Sequence, residues 1–248
     1  MNKVVIICFI LSLAFIIMGV IYLVPYFSKK KIHKGKFDIL QFINLFFAPV
    51  LVLPTLYFLR EIIISSPEKQ IIEAPKYISD ILFLFLIYFA ILGNGIHSVS
   101  VVLQKHMKNL KNHKVWEINE FFHNGLSHTL LMVPSAFLIA AFAFFEINHP
   151  TVIPLNNIEI VMLLFSGVVT GIIFAFASKE GSVGNLMFYV CYLVSMAIPF
   201  SFIRFNLDFR FYPANTFVEI LFIVSVITLG FYKKKGFVEL VPHLFFDE

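Results

Sequence analysis

VVIICFILSLAFIIMGVIYLV, residues 4–24, is a run of 21 residues without one charged side chain. A helix rises about 1.5 Å per residue and the hydrocarbon layer is about 30 Å thick, so this run is long enough to cross a bilayer. It is too long for a secretory leader, whose apolar stretch is roughly 7–15 residues. No small-x-small cleavage pattern follows it; Pro25, Tyr26 and the cluster Lys29-Lys30-Lys31 do. The stretch reads as an uncleaved first transmembrane span.

The rest of the chain repeats that composition. Of 248 residues, 59% are apolar, 14% are charged and 32 are phenylalanine. Mean hydropathy is +0.89. An ordinary soluble domain carries roughly 25% charged residues. A water-exposed fold of this size has no means of hiding so much apolar surface. Disordered chains are poor in these residues, so disorder is excluded as well. Seven segments have the length and polarity of spans, at approximately 4–26, 39–59, 78–103, 122–146, 158–177, 184–203 and 214–231. The expectation is an all-α membrane bundle of about seven helices, one polytopic domain over 1–248.

Charge sets the orientation. With the N-terminus outside, the inner loops and tail hold thirteen cations, at Lys29, Lys30, Lys31, Lys34 and Lys36, around 105–114, at Lys179 and at 233–235. The outer side holds six: Lys3, Arg60, Lys69, Lys76, Arg204 and Arg210. The positive-inside rule then puts the C-terminus in the cytoplasm, in the plasma membrane. The net charge of +4 belongs to these loops, so no nucleic-acid partner is expected; the partners are membrane lipids and a lipid-like or small-molecule ligand. Cys8 and Cys191 lie inside apolar runs and read as buried thiols rather than a disulfide or metal motif. Gly167 and Gly171 form a GxxxG pair suited to close helix approach. Pro49, Pro54, Pro134 and Pro199 are expected to bend their spans.

Polar residues inside such a chain are costly, and they gather in one region. The third span ends Gly93-Asn94-Gly95-Ile96-His97-Ser98-Val99-Ser100; the fourth opens Glu117-Ile118-Asn119-Glu120-Phe121-Phe122-His123-Asn124-Gly125-Leu126-Ser127-His128. A short lysine-rich link joins them, so the two helices should be antiparallel neighbours, with His97 and His123 at similar depth. Glu117, Glu120, Asn124 and His128 step along one helical stripe, as do Asn94, His97 and Ser100.

Imidazoles and a carboxylate are ligands for zinc or another divalent transition metal. Asn94, Asn124, Ser98 and Ser100 could orient them. Glu120 would be a ligand or the general base, and His123 a ligand or catalytic group. In an ideal α-helix His123 and His128 are about 140° apart, so one metal would take His97 with Glu120 and only one of the two. The same residues would also suit a helix end that meets headgroups and water.

Several functions fit this set. A metal-dependent hydrolase of lipid-like substrates is one. Seven spans with histidines near one face resemble, in architecture and residue type, the alkaline ceramidase superfamily; that family's HxxxH pair in its last span has no counterpart in 214–231, and no residue is carried over. A haem b or other electron-transfer protein is the alternative, with His97 and His123 as axial ligands. A transporter or receptor-like bundle would use Gly93 and Gly95 to unwind the third span. A structural subunit would need the polar cluster only for packing. Glu219 is a separate intramembrane carboxylate, either an ion site or the partner of Asn215 or a tyrosine. Gln41 and Asn44 could complete the histidine cavity. His33, His106, His113, His149 and His243 read as solvated.

Overall fold

Hydrocarbon offers no hydrogen bonds, so an apolar segment crossing it must pair its own backbone groups, and a single segment does so as a helix. The computed structural model describes residues 1–23, 31–32, 37–38, 46, 48–72 and 76–234, and the secondary structure is helical apart from one short antiparallel pair, β1 (Lys31–Ile32) with β2 (Phe37–Asp38). The helices are α1 (Lys3–Leu23), α2 (Leu53–Ile64), α3 (Lys76–His106), α4 (Lys114–Glu120), α5 (His128–Asn148), α6 (Asn157–Glu180), α7 (Gly184–Phe205) and α8 (Pro213–Lys234). A π-helical stretch, Phe121–Ser127, joins α4 to α5. The result is one continuous rod, Lys114–Asn148.

Among the described residues, five helices are long and apolar enough to cross a membrane: α3, the α4–α5 rod, α6, α7 and α8. These five match the third to seventh spans expected from the sequence. The rod starts eight residues earlier than the apolar run that predicted it, because residues 114–121, which include Lys114, Glu117, Asn119 and Glu120, are helical too. Of the expected second span, 39–59, residues 39–45 and 47 lie outside the described residues. So do Gln41, Asn44, His33, His243, Lys29, Lys30, Lys34, Lys36 and Lys235. Ala48–Val52 form a π-turn, and Pro54 occupies the first turn of α2, where its missing N–H costs nothing. Pro134 and Pro199 sit inside α5 and α7.

Small residues decide how the rods meet. A methyl group added at Gly171 would lie 2.5 Å from the Leu221 carbonyl, and one at Gly167 would lie 2.8 Å from Ile220. The GxxxG pair is thus where α6 and α8 touch, and the Ser225 hydroxyl donates to the Gly171 carbonyl at 3.0 Å. Gly93 does the same between α3 and α5, where a methyl would come 2.5 Å from the Leu131 nitrogen. Ser12 of α1 reaches the Thr170 hydroxyl of α6 at 2.9 Å. Cys8 and Cys191 are free and buried.

Two buried charges fasten one end of the bundle. Glu146, at the end of α5, accepts from the backbone N–H groups of Ala214 (2.9 Å) and Asn215 (2.7 Å) and from the Asn215 side chain. It thereby caps the open N-terminus of α8 with a carboxylate from another helix. Arg60 of α2 pairs with Asp80 of α3 and with Glu61, and its guanidinium lies beside the rings of Phe83 and Phe145. Loops meet at this end: Asn148 bonds both backbone groups of Ile72, His149 bonds the Ser66 carbonyl, and Leu155 N–H donates to Arg210. Asp208 and Arg210 pair in the last of these loops, and the guanidinium holds the Asp208 carboxyl below its ordinary range.

The opposite end carries the lysines. Lys105, Lys108, Lys111 and Lys114 lie in or beside the α3–α4 link, and Lys179 and Lys233 lie in the last turns of α6 and α8. Lys179 lies over Tyr232, and Lys233 lies over Phe188 and Tyr189.

Candidate metal centre

Three imidazoles meet near the lysine-rich end. His97 comes from α3, His123 from the π-stretch and His128 from the first residue of α5. Ring centroids are 4.9 Å apart for His97–His123, 4.7 Å for His97–His128 and 5.4 Å for His123–His128. One ring nitrogen from each lies within 4.8 Å of the others. All three side chains are half-buried.

The π-stretch corrects the sequence reading that separated His123 from His128. That reading assumed a regular α-helix, in which residues five apart diverge. A π-turn bonds residue i to i+5, so residues five apart stack on one face. His123 and His128 therefore point the same way, towards His97. The close approach at Gly93 brings α3 near enough for His97 to complete the set.

The protonation pattern suits coordination. His128 Nδ1 lies 2.7 Å from the Gly181 carbonyl, in the turn between α6 and α7. A carbonyl only accepts, so Nδ1 carries the hydrogen and Nε2 keeps its lone pair. This is the arrangement that orients metal-ligating histidines elsewhere. The Nδ1 atoms of His97 and His123 are buried and have no hydrogen-bond partner. An unpaired buried polar atom is costly, and a bound cation would relieve that cost.

Glu120 stands beside the imidazoles and is not one of the three converging groups. Its two oxygens are taken up by the side-chain amides of Gln104 and Asn124, the latter at 2.6 Å. The Glu120–Asn124 bond is the i,i+4 stripe read from sequence. Ser98 donates to the Asn94 carbonyl at 2.8 Å, Asn119 donates to the Ser100 carbonyl at 3.1 Å, and Ser127 donates to the His123 carbonyl. The first and last are i,i+4 bonds within α3 and within the π-stretch, and the Asn119–Ser100 bond ties α4 to α3. Gln104 had a legible signal, since it lies two turns after His97 on α3. Gly181 had none, because 53 residues separate it from His128.

The remaining candidates lie elsewhere. Glu219 is half-buried on α8 with Oε2 unpartnered, while the Asn215 side chain pairs with Glu146 and the Ala143 carbonyl. His106 and His113 are exposed. His149 was expected to be solvated; it is half-buried and ties α5 to the Ser66 loop. Among known proteins, no family model, curated sequence or solved structure matches this chain.

Proposed function

We propose that this chain is a seven-span membrane protein, N-terminus outside and C-terminus cytoplasmic, that holds a divalent transition metal, zinc by ligand type, on His97, His123 and His128. We propose further that it hydrolyses lipid-like substrates at the cytoplasmic face of the plasma membrane. The observation that carries the metal reading is the convergence of three ring nitrogens within 4.8 Å, two of the three imidazoles having a buried, unpartnered Nδ1. Zinc–nitrogen bonds of 2.0–2.1 Å set tetrahedral ligand pairs about 3.4 Å apart, a closure within reach of small side-chain rotations.

Three protein ligands leave a fourth position open, the pattern of catalytic rather than structural zinc. The ion would supply Lewis acidity and acidify a bound water. Glu120, held by the amides of Gln104 and Asn124, would serve as the general base. The haem b alternative draws less support, because three rings crowd one another at 4.7–5.4 Å. That spacing favours one small ion over two imidazoles on opposite faces of a macrocycle.

Elemental analysis of the detergent-purified protein tests the reading. One transition-metal ion per chain is expected, with no Soret band in the visible spectrum. His97→Ala and His128→Ala should each lose most of that metal. Unchanged metal content in both variants would overturn the site.

A further inference from the structure

The helices differ in length in a way that locates the site. α6, α7 and α8 have 24, 22 and 22 residues, close to the roughly 20 that a crossing requires. α3 has 31 and the α4–α5 rod has 35. A tilt of about 20° lengthens a crossing by only a residue or two, so tilt does not absorb the excess. The ring contacts of Phe83 with Phe142 and Phe145 set α3 and α5 in register, so that the start of α3 lies level with the end of α5 at the far end. Counting about 20 residues inward from there reaches His97 on α3 and His128 on α5. The bond from His128 to Gly181, one residue past the end of α6, gives the same depth from a third helix. The imidazoles therefore sit at the hydrocarbon boundary. The chain beyond them, from the end of α3 through α4, is a helical hairpin whose arms run on for roughly 15–20 Å at 1.5 Å per residue.

That hairpin is not built for water alone. Val99, Leu103, Leu110, Val115, Ile118 and Phe122 are all exposed on it, with Val99 at 60% and Ile118 at 56%. Val115, Ile118 and Phe122 step by 3 and 4, one helical face. Interleaved with them are four exposed lysines, Lys105, Lys108, Lys111 and Lys114. Trp116 is half-buried, with the Lys111 ammonium 5.7 Å from its ring centroid. Glu117 is the exposed acidic residue among them. Apolar side chains, an indole and an excess of lysines form the combination that enters a bilayer interface and is drawn to negative headgroups.

We infer that the α3–α4 hairpin docks on anionic phospholipid headgroups of the bilayer in which the protein sits. Its apolar face continues the lipid-facing surface of α3, and its lysines meet lipid phosphates. The occupant is lipid rather than a protein because the hairpin starts at the hydrocarbon boundary and its exposed apolar face runs on from residues already in lipid. The docked hairpin gathers anionic headgroups at its base, where the three imidazoles lie. The inference stands on the membrane geometry and needs no metal.

The chain has a single tryptophan, Trp116, so the hairpin carries its own probe. The full-length protein is reconstituted in vesicles of phosphatidylcholine, with or without phosphatidylglycerol, using acyl chains brominated near the headgroup. Trp116 quenching should be stronger with phosphatidylglycerol, and high salt should remove the difference. Lys108→Gln, Lys111→Gln and Lys114→Gln together should abolish the preference for anionic lipid, at roughly fivefold in docking equilibrium per lysine. The difference between the two lipids within each variant is the readout, because Lys111→Gln also alters the indole's surroundings. Equal quenching in both lipids, or a preference that survives salt and the triple substitution, would overturn the inference. Trp116 left unquenched in both would do so too, and would leave the face to a soluble acidic protein.

Discussion

At the scale of single residues, roles are separated by which hydrogen bonds are already spent. His128 has committed Nδ1 to Gly181, while Glu120 has committed both oxygens to Gln104 and Asn124. Under the proposed metal site, the first commitment would prepare a ligand and the second would hold a carboxylate beside the ligands. Glu120→Gln therefore distinguishes a general base from a ligand. Elemental analysis of the Glu120→Gln protein should return wild-type metal content. Under the proposed hydrolase activity, turnover of a fluorescent acyl-amide or ester amphiphile should fall by about 10²–10⁴-fold relative to the wild type. Loss of the metal itself would instead make Glu120 a ligand. Glu120 and the three histidines were legible because ionisable groups stand out against an apolar chain. Their hydrogen-bond partners were not, because these include an amide from α3 and a carbonyl from the α6–α7 turn.

At the scale of elements, the π-turn acts as a one-residue insertion. An α-helix stacks residues four apart, whereas the π-turn lets residues five apart do the same. This yields a paired prediction. Deleting Gly125 brings His123 and His128 to four apart in a regular α-helix, so both still face His97 and metal content is retained. Inserting an alanine after Gly125 sets them six apart and turns them to different sides, so the metal is lost. Far-UV circular dichroism should show similar helix content for both proteins, and elemental analysis should separate them. Periodicity alone could not foresee the turn, because the 3.6-residue repeat used to sort the stripe was the assumption at fault. The antiparallel meeting of α3 and α5 was legible from the short link, and Gly93 shows its cause in a backbone approach that leaves no room for a methyl.

At the scale of the whole molecule, charge and length agree on one arrangement. The α3–α4 link and Lys179 and Lys233 lie at one end; Arg60, Arg210 and the Asn148 and His149 contacts lie at the other. Under the proposed seven-span topology, a reporter fused after Glu248 should read as cytoplasmic. A reporter signal from the opposite side would overturn the span count. The overshoot of α3 and the rod belongs to this scale as well, since it is visible only against the lengths of α6, α7 and α8.

The sequence by itself determined the solvent and most of the elements. Apolar composition excludes water as the surroundings, and runs of about 20 residues locate helices because lipid leaves the backbone no other partners. It also narrowed the chemistry to a few costly residues, His97, Glu120, His123 and His128. Tertiary structure decided how they act together. The π-turn aligned His123 with His128, Gly181 set the tautomer of His128, and Glu146 capped α8 through backbone groups 68 and 69 residues further along the chain. Each of those outcomes depends on groups far apart in the chain or on a departure from ideal helical repeat, and neither is encoded in local spacing.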